Sequence, residues 1–410
     1  MRYEPILQQQ MDHNRTIEMV RRFGRNGLFI SVPIFVLLLI NYHYNIYHGY
    51  IPQDTQVNGT LADTDYMKST TIDLPIAVAT TAMEHQMMTS QWKVLQDGTV
   101  IHLGSKNVDY NYTFRMIDAD RCSSLRANES SFVIVVETDI VNFDERQLIR
   151  ETWGLDVMQE LANYRVIFMV GLGRNPEIQN KLDYESIMYG DIVQIDVNED
   201  FQNLTHKSIH MLYWYSRYCG NSRFLFKTDD DIYLHIPNMV NMFRTIEFNG
   251  SILCHQNKSR KIIRNFSDLH FFMYSYKNRN KQEVMKQIRK KFHKYLIGYD
   301  ILPGSLYPNY CSGFGYSMNR NVAEKLLEAS EKIPYIGIED VFITGFCRQK
   351  CNITIMNNVN FRLKPYIFPI EGKCAFENGR ITSNEMSKSD IRKLWTHVNS
   401  QGYYCKLTPQ

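Results

Sequence analysis

Near the start of the 410-residue chain, Leu28 to Ile40 is apolar apart from Ser31, with Pro33 inside the run, and the aromatic stretch Tyr42 to Tyr47 follows. The strictly apolar part is shorter than the roughly 20 residues that span a bilayer. Gly27 and the interfacial tyrosines bring it close to that length. From Tyr50 to about Ala127 the chain is polar, rich in Thr and Asp, and weakly periodic. Beyond Ser130 the pattern changes to short apolar runs alternating with helical stretches. Phe132 to Val136, Val166 to Val170, Asp191 to Ile195 and Phe224 to Phe226 read as buried strands. The spacing predicts helices around Arg146 to Trp153, from Pro176 to about Met188, and from Leu204 to Tyr218. This alternation predicts an α/β domain with a parallel sheet covered on both faces. Ligands on such sheets bind outside the carboxyl ends of the strands.

Charge gives the apolar run an orientation. Arg15, Arg21, Arg22 and Arg25 precede it, and no Lys or Arg follows until Lys68. That asymmetry holds the N-terminus in the cytoplasm and sends the rest across the membrane. A cleavable signal peptide is disfavoured by the long charged lead and the lack of a small-residue cleavage site. The formal net charge of +3 is close to neutral for this size and implies no nucleic-acid partner. All eight cysteines lie beyond the run, as disulfides in an oxidising lumen would require. Cys122 precedes the first strand and Cys219 the fourth. If those strands are parallel neighbours, both cysteines sit at one end of the sheet and can pair. Sequons at Asn58, Asn111, Asn128, Asn203, Asn249, Asn257, Asn265 and Asn352 fall on the same side and are expected to carry glycans. Asn14, on the cytoplasmic side, is not.

The fourth strand runs through Lys227 and Thr228 into Asp229-Asp230-Asp231, with apolar Ile232 and Tyr233 returning the chain to the core. Three adjacent carboxylates repel one another unless something positive sits among them. Mg²⁺ and Mn²⁺ take such oxygens together with substrate phosphates. A solvated acidic turn is the competing reading. A second acidic pair, Glu339-Asp340, follows Gly337 and opens a helix, where carboxylates are also favoured simply by the dipole. Between them, Tyr307 to Ser317 sets Gly313 and Gly315 among aromatics, which suits either close approach to a sugar or a tight turn. Arg146 and Arg150 lie four apart on one helical face, placed to meet phosphates or to make ion pairs.

Taken in order, these residues resemble the beta-1,3-galactosyltransferase and beta-1,3-N-acetylglucosaminyltransferase family (glycosyltransferase family 31). The resemblance rests on Arg146-x-x-Ile149-Arg150-x-Thr152-Trp153, Phe168-x-x-Gly171, Glu185-x-x-x-Tyr189-Gly190-Asp191-Ile192 and Asn203-Leu204-Thr205 with Lys207. It continues through Lys227 to Asp231, Tyr307-Pro308-x-Tyr310-Cys311-Ser312-Gly313-x-Gly315-Tyr316 and Glu339-Asp340-Val341, covering about 130 to 395. It implies a GT-A-type, Rossmann-like nucleotide-sugar transferase domain on a type II Golgi membrane protein. The expected organisation is a cytoplasmic tail at 1–26, a signal anchor at 27–47, a lumenal stem at 48–129 and a catalytic domain at 130–405.

The implied activity is metal-dependent transfer of Gal, GlcNAc or GalNAc from a UDP-sugar to a glycoprotein or glycolipid acceptor, in beta-1,3 linkage with inversion. The resemblance places Mn²⁺ or Mg²⁺ at Asp229, Asp230 and Asp231 and the catalytic base at Asp340, with adjacent Glu339 the competitor. Arg146, Arg150, Trp153, Lys227, Tyr310, Ser312, Gly313 and Gly315 are the expected donor and substrate contacts. Two departures stand out. Asn384 occupies a position where family members usually carry His, which puts the metal binding in question. Lys277 to Lys294 is a basic insertion, eight Lys or Arg against Glu283; it reads as a solvated helix face or as a dock for an acidic acceptor or membrane headgroups. Two other functions compete: a catalytically silent lumenal binding domain, and a metal-dependent phosphodiesterase, which would need further His or carboxylate ligands.

Overall fold

The computed structural model describes residues 92–104, 110–127, 130–247, 250–265, 292–364 and 374–399, all within one unit of the chain, Leu74–Gln410. The expected tail, the anchor at 27–47, the stem as far as residue 91 and the basic stretch up to residue 291 lie outside them. No helix among the described residues is long and apolar enough to cross a membrane.

The chain begins with β1 (Trp92–Val94), β2 (Val100–His102) and β3 (Phe114–Met116), followed by β4 (Phe132–Glu137), α1 (Phe143–Glu151) and α2 (Asp156–Ala162). Then come β5 (Tyr164–Leu172), α3 (Pro176–Tyr189), β6 (Ile192–Asn198), α4 (Leu204–Tyr218), β7 (Phe224–Asp229), β8 (Tyr233–Leu234) and α5 (Ile236–Thr245). The second half supplies β9 (Ser251–Asn257), β10 (Tyr310–Asn319), α6 (Arg320–Ser330), α7 (Glu339–Val341), β11 (Thr354–Asn357) and β12 (Phe361–Arg362). It ends with α8 (Cys374–Glu377), β13 (Thr382–Ser383) and α9 (Lys388–Asn399). The predicted strands and helices are all present. Local chemistry sets their limits: in α3, Asn175 accepts the Glu177 N–H, Pro176 opens the first turn, and Gly190 closes the helix at φ 57°.

Eight strands form the main sheet in the order β11-β9-β10-β7-β4-β5-β6-β3. The central four, β7-β4-β5-β6, are parallel, joined by helical crossovers as parallel neighbours require. These are the four strands expected to be parallel; the flanks differ, since β10 runs antiparallel to β7 and β9, and β3 antiparallel to β6. β4 is buried along its whole length. Val133 and Val135 pack with Ile209 and Leu212 of α4 on one face, while Phe132, Ile134 and Val136 pack with Leu148, Ile149 and Phe243 on the other. Each such side chain contributes about 1.5–3 kcal/mol on burial.

Residues before the boundary expected at 130 also pack on this core. Trp92 and Val100 are buried in the core that α4 covers, the Val100 N–H donates to the Leu306 carbonyl at 3.0 Å, and β3 extends the main sheet. Cys122 and Cys219 form a disulfide with Cα atoms 5.0 Å apart, beside the parallel pair Phe132 and Phe224. A second bridge, Cys254–Cys311, ties β9 to β10. Cys347 and Cys351 are free. Of the sequons, Asn111, Asn265 and Asn352 are exposed and Asn203 partly so, while Asn58, Asn128 and Asn249, like Asn14, lie outside the described residues. Asn257 differs from these: it is only 8% exposed, with its amide donating to Ser312 Oγ at 2.8 Å.

Candidate active site

An open cleft of about 1260 Å³ lies at the carboxyl ends of β4, β6 and β7, the edge where the sheet topology directs ligands. Its volume exceeds the ~300–1,000 Å³ of ordinary small-molecule pockets, leaving room for two substrates. Glu137, Thr138, Asn142, Glu199, Lys207, Asp229, Asp230 and Asp231 line one side. Because β10 runs antiparallel, its first residues, Tyr310 to Phe314, reach the same edge, with Glu339 and Asp340 beside them.

Lys227 is the hub. Alternation along β7 puts it on the face of Leu225, where it is 1% exposed. Its Nζ contacts Asp229 Oδ1 at 2.7 Å, the Gly313 carbonyl at 2.9 Å, Glu137 Oε2 at 3.3 Å and Glu339 Oε2 at 3.5 Å. Burial opposes the charge, but Asp229, Glu137 and Glu339 outweigh it and hold the ammonium well above the usual lysine range. Glu137 also takes the Ser208 hydroxyl; burial pushes its carboxyl up, with Lys227 opposing. Glu339 takes the Tyr316 hydroxyl. Glu137, Ser208 and Tyr316 are members of this cluster that the sequence reading did not assign. The signal available for Glu137 was a carboxylate ending five apolar residues.

The three aspartates are not equivalent. Asp230 Oδ2 takes the Thr138 hydroxyl and the Asn142 amide, which fixes it to the β4–α1 loop. Asp229 is held by Lys227. The Asp231 carboxylate takes no hydrogen bond from another described residue. Although Asp231 is exposed to the cleft, desolvation by the surrounding protein, then Asp229 and Asp230, push its carboxyl up to about 7, the mark of a carboxylate lacking positive company. Among the described residues no three His, Cys, Asp or Glu side chains gather into a metal cage. This donor set fits a hard divalent cation that takes one or two carboxylates and completes its shell with phosphate oxygens. Asn384 lines the cleft near this corner, its amide 3.3 Å from the Leu363 carbonyl, and the Met386 N–H donates to the Asp231 carbonyl at 3.0 Å.

Asp340 also faces the cleft. Its Oδ2 accepts the Gly313 N–H at 3.1 Å; a Cβ on Gly313 would come within 3.4 Å of Asp340, so the glycine permits the approach. Burial, then Glu339, raises the Asp340 carboxyl, and Lys227 opposes. Tyr310, Ser312 and Gly313 line the cleft. Gly315 does not: a Cβ there would lie 3.0 Å from Phe226, so it serves core packing.

Arg146, Arg150 and Trp153 are likewise absent from the cleft lining. Arg146, fully buried, forks onto both Glu185 oxygens at 2.7–2.9 Å and caps the Asp139 and Ile140 carbonyls. Arg150 pairs with Glu185 at 2.7 Å and Asp191 at 2.8 Å and lies over the Tyr189 ring. Trp153 Nε1 donates to the Ile232 carbonyl at 3.0 Å, behind the aspartate turn. Their donors are engaged by the protein itself rather than turned to the cleft.

A family model described as Galactosyltransferase matches residues 144–359. The lactosylceramide 1,3-N-acetyl-beta-D-glucosaminyltransferase of Rattus norvegicus is 28% identical over 330 residues, 75% of this chain and 78% of that protein. Beta-1,3-galactosyltransferase 5 of Homo sapiens is 29% identical over 237 residues, 58% of this chain and 67% of that protein. Among solved structures, a mannosyltransferase from Pyrobaculum calidifontis in complex with GDP-Man and Mn²⁺ aligns with 10% identity and a TM-score of 0.29, over 69% of this chain and 65% of that one. The family match spans more than half of the sequence, and the chain belongs to the Galactosyltransferase family.

Proposed function

We propose that the protein is an inverting beta-1,3-glycosyltransferase of GT-A type, transferring Gal, GlcNAc or GalNAc from a UDP-sugar to the hydroxyl of a glycoprotein or glycolipid acceptor. One observation carries the reading: an unpartnered carboxylate, Asp231, and a second cleft carboxylate, Asp340, flank the same buried lysine network. In this reading residues 1–26 are cytoplasmic, 27–47 anchor the chain in the Golgi membrane, and the stem from 48 ends before Trp92.

Asp231, helped by Asp229, would hold Mn²⁺ or Mg²⁺, which when bound neutralises charge on the donor diphosphate. Asp340 takes the proton of the acceptor hydroxyl as that oxygen attacks the anomeric carbon. The bond from that carbon to the diphosphate breaks, and UDP leaves with its electron pair. A single displacement from the opposite side inverts the centre, and one base is sufficient for it. Tyr310 offers an aromatic surface for a sugar, while Lys227 and Asp230 position the aspartate turn. The silent-domain reading gains no support from a cleft that keeps both carboxylates available.

The test is UDP release from UDP-Gal, UDP-GlcNAc and UDP-GalNAc with and without glycan acceptors, paired with Mn²⁺-dependent UDP binding by calorimetry. Asp231→Ala is expected to lose the metal-dependent UDP binding while its thermal unfolding stays near wild type. Normal UDP affinity in that variant refutes the metal assignment, and acceptor-independent turnover refutes the transferase.

A further inference from the structure

The wall of the cleft beyond Asp340 is built differently from the aspartate corner. After β9 the chain passes through Ser259, Arg260 and Lys261, all lining the cleft with Tyr307 and Tyr310. The Tyr307 N–H donates to the Arg260 carbonyl at 2.9 Å, so the cation and the aromatic belong to adjoining backbones. Arg260 is exposed, yet its guanidinium is oriented: Nε donates to Asn257 Oδ1 at 3.1 Å. Asn257 is itself buried and spends its amide on Ser312 Oγ at 2.8 Å. Ser312 adjoins Gly313, whose N–H holds Asp340. A relay of side chains thus fixes Arg260 in the frame of the proposed base.

What the relay leaves over is informative. With Nε occupied, both Nη groups of Arg260 make no ion pair with any described residue, and neither does the Lys261 ammonium beside it. Elsewhere in the cleft wall Lys207 and Lys227 are matched to carboxylates, and Lys294 lies over the Phe201 ring. The Tyr310 phenol stands within electrostatic reach of both ends: burial and Asp340 raise it, and Arg260 works the other way. A guanidinium held at Nε, with its terminal nitrogens free, is pre-set for two-point binding of a carboxylate or sulfate.

Resting on the transferase reading, we infer that the acceptor is an anionic glycan whose carboxylate or sulfate is held by Arg260 and Lys261, beside Tyr307 and Tyr310. The diphosphate of the donor is a different anion and belongs to the Asp231 corner, on the other side of Lys227. The pair therefore selects acceptors rather than donors.

The experiment measures affinities, so it does not depend on turnover. The whole protein, loaded with UDP and Mn²⁺, is titrated with lactose, with sulfated lactose and with a glucuronate-terminated disaccharide. One or both acidic sugars are expected to bind more tightly than lactose, and which of them does so identifies the anion as sulfate or carboxylate. Arg260→Ala is expected to weaken acidic binding about ten- to hundred-fold, to leave lactose binding unchanged, and to retain UDP affinity and unfolding temperature. Arg260→Lys should recover part of the loss, since it restores the charge without the fork. Equal binding of neutral and acidic sugars, or absence of acidic binding, overturns the inference; so does a variant whose UDP affinity falls instead. Failure of the wild-type protein to bind UDP with Mn²⁺ is a separate result, which would sink the transferase reading itself.

Discussion

Asp340 and Glu339 are adjacent in sequence, yet their carboxylates keep different company. Glu339 is spent on Lys227 and the Tyr316 hydroxyl, whereas Asp340 takes two backbone N–H groups and faces the cleft. The sequence could not separate them, because which neighbour turns inward depends on β10 and on Lys227, the latter more than a hundred residues upstream. Asp340→Asn keeps the shape and cannot take a proton near neutrality. Its kcat is expected to fall about 10²- to 10⁴-fold with UDP–Mn²⁺ affinity nearly unchanged, measured by steady-state kinetics and calorimetry. The pH profile follows from the sign of the shift. A base must be ionised, and burial with Glu339 raises the Asp340 carboxyl. Wild-type kcat/KM should therefore lose activity on acidification at a pH above the usual carboxylate range. The residual activity of Asp340→Asn should lack that limb. An unchanged limb in the variant assigns it to another group.

At the scale of elements, the buried strands β4 and β5 were legible because five apolar residues in a row have few other uses. β4 and α4 match their expected spans almost residue for residue. The short strands β1, β2, β3, β8, β12 and β13, two or three residues each, carry too little pattern to be seen. β10 was hidden for another reason: Gly313 and Gly315 read as a ligand-approach segment or a turn, while the chain there runs as a ten-residue strand. The basic face of α1 was ambiguous in sequence, and ion pairing is the alternative that the fold realises. Arg146 joins α1 to Glu185 of α3 and to the loop bearing Thr138, which in turn holds Asp230. Arg146→Met removes one partner of the buried pair and is expected to cost about 3–5 kcal/mol, as broken buried pairs do, read by chemical denaturation. A direct donor contact would instead lower UDP affinity without that loss of stability.

For the whole molecule, the Cys122–Cys219 bridge closes a span of 97 residues that contains β4, β5, β6 and their helices. Topology alone indicated this pairing, since parallel neighbours bring their preceding residues to one end. Much of the stabilisation of such a bridge comes from restricting the unfolded chain. Replacing Cys122 and Cys219 together by Ala is expected to cost about 2–5 kcal/mol, seen as a lower denaturation midpoint, while mildly reduced wild type should move toward the same value. Equal midpoints for the double variant and the oxidised protein contradict the bridge.

Lys227 has a consequence for how this sequence can change over time. One ammonium contacts Asp229 on the aspartate turn, Glu137 at the end of β4, and Glu339 next to Asp340. Those carboxylates come from three distant stretches of chain, but they meet at one ammonium. Losing the lysine would strand all three acids at once, and losing any one acid would change the field felt by the other two. Neutral drift at one corner is therefore constrained by the others, and lineages should replace these residues jointly or leave them alone. An engineer seeking a different metal or a different acceptor would do better to vary Asn384 or Arg260, at the rim, than any member of the cluster.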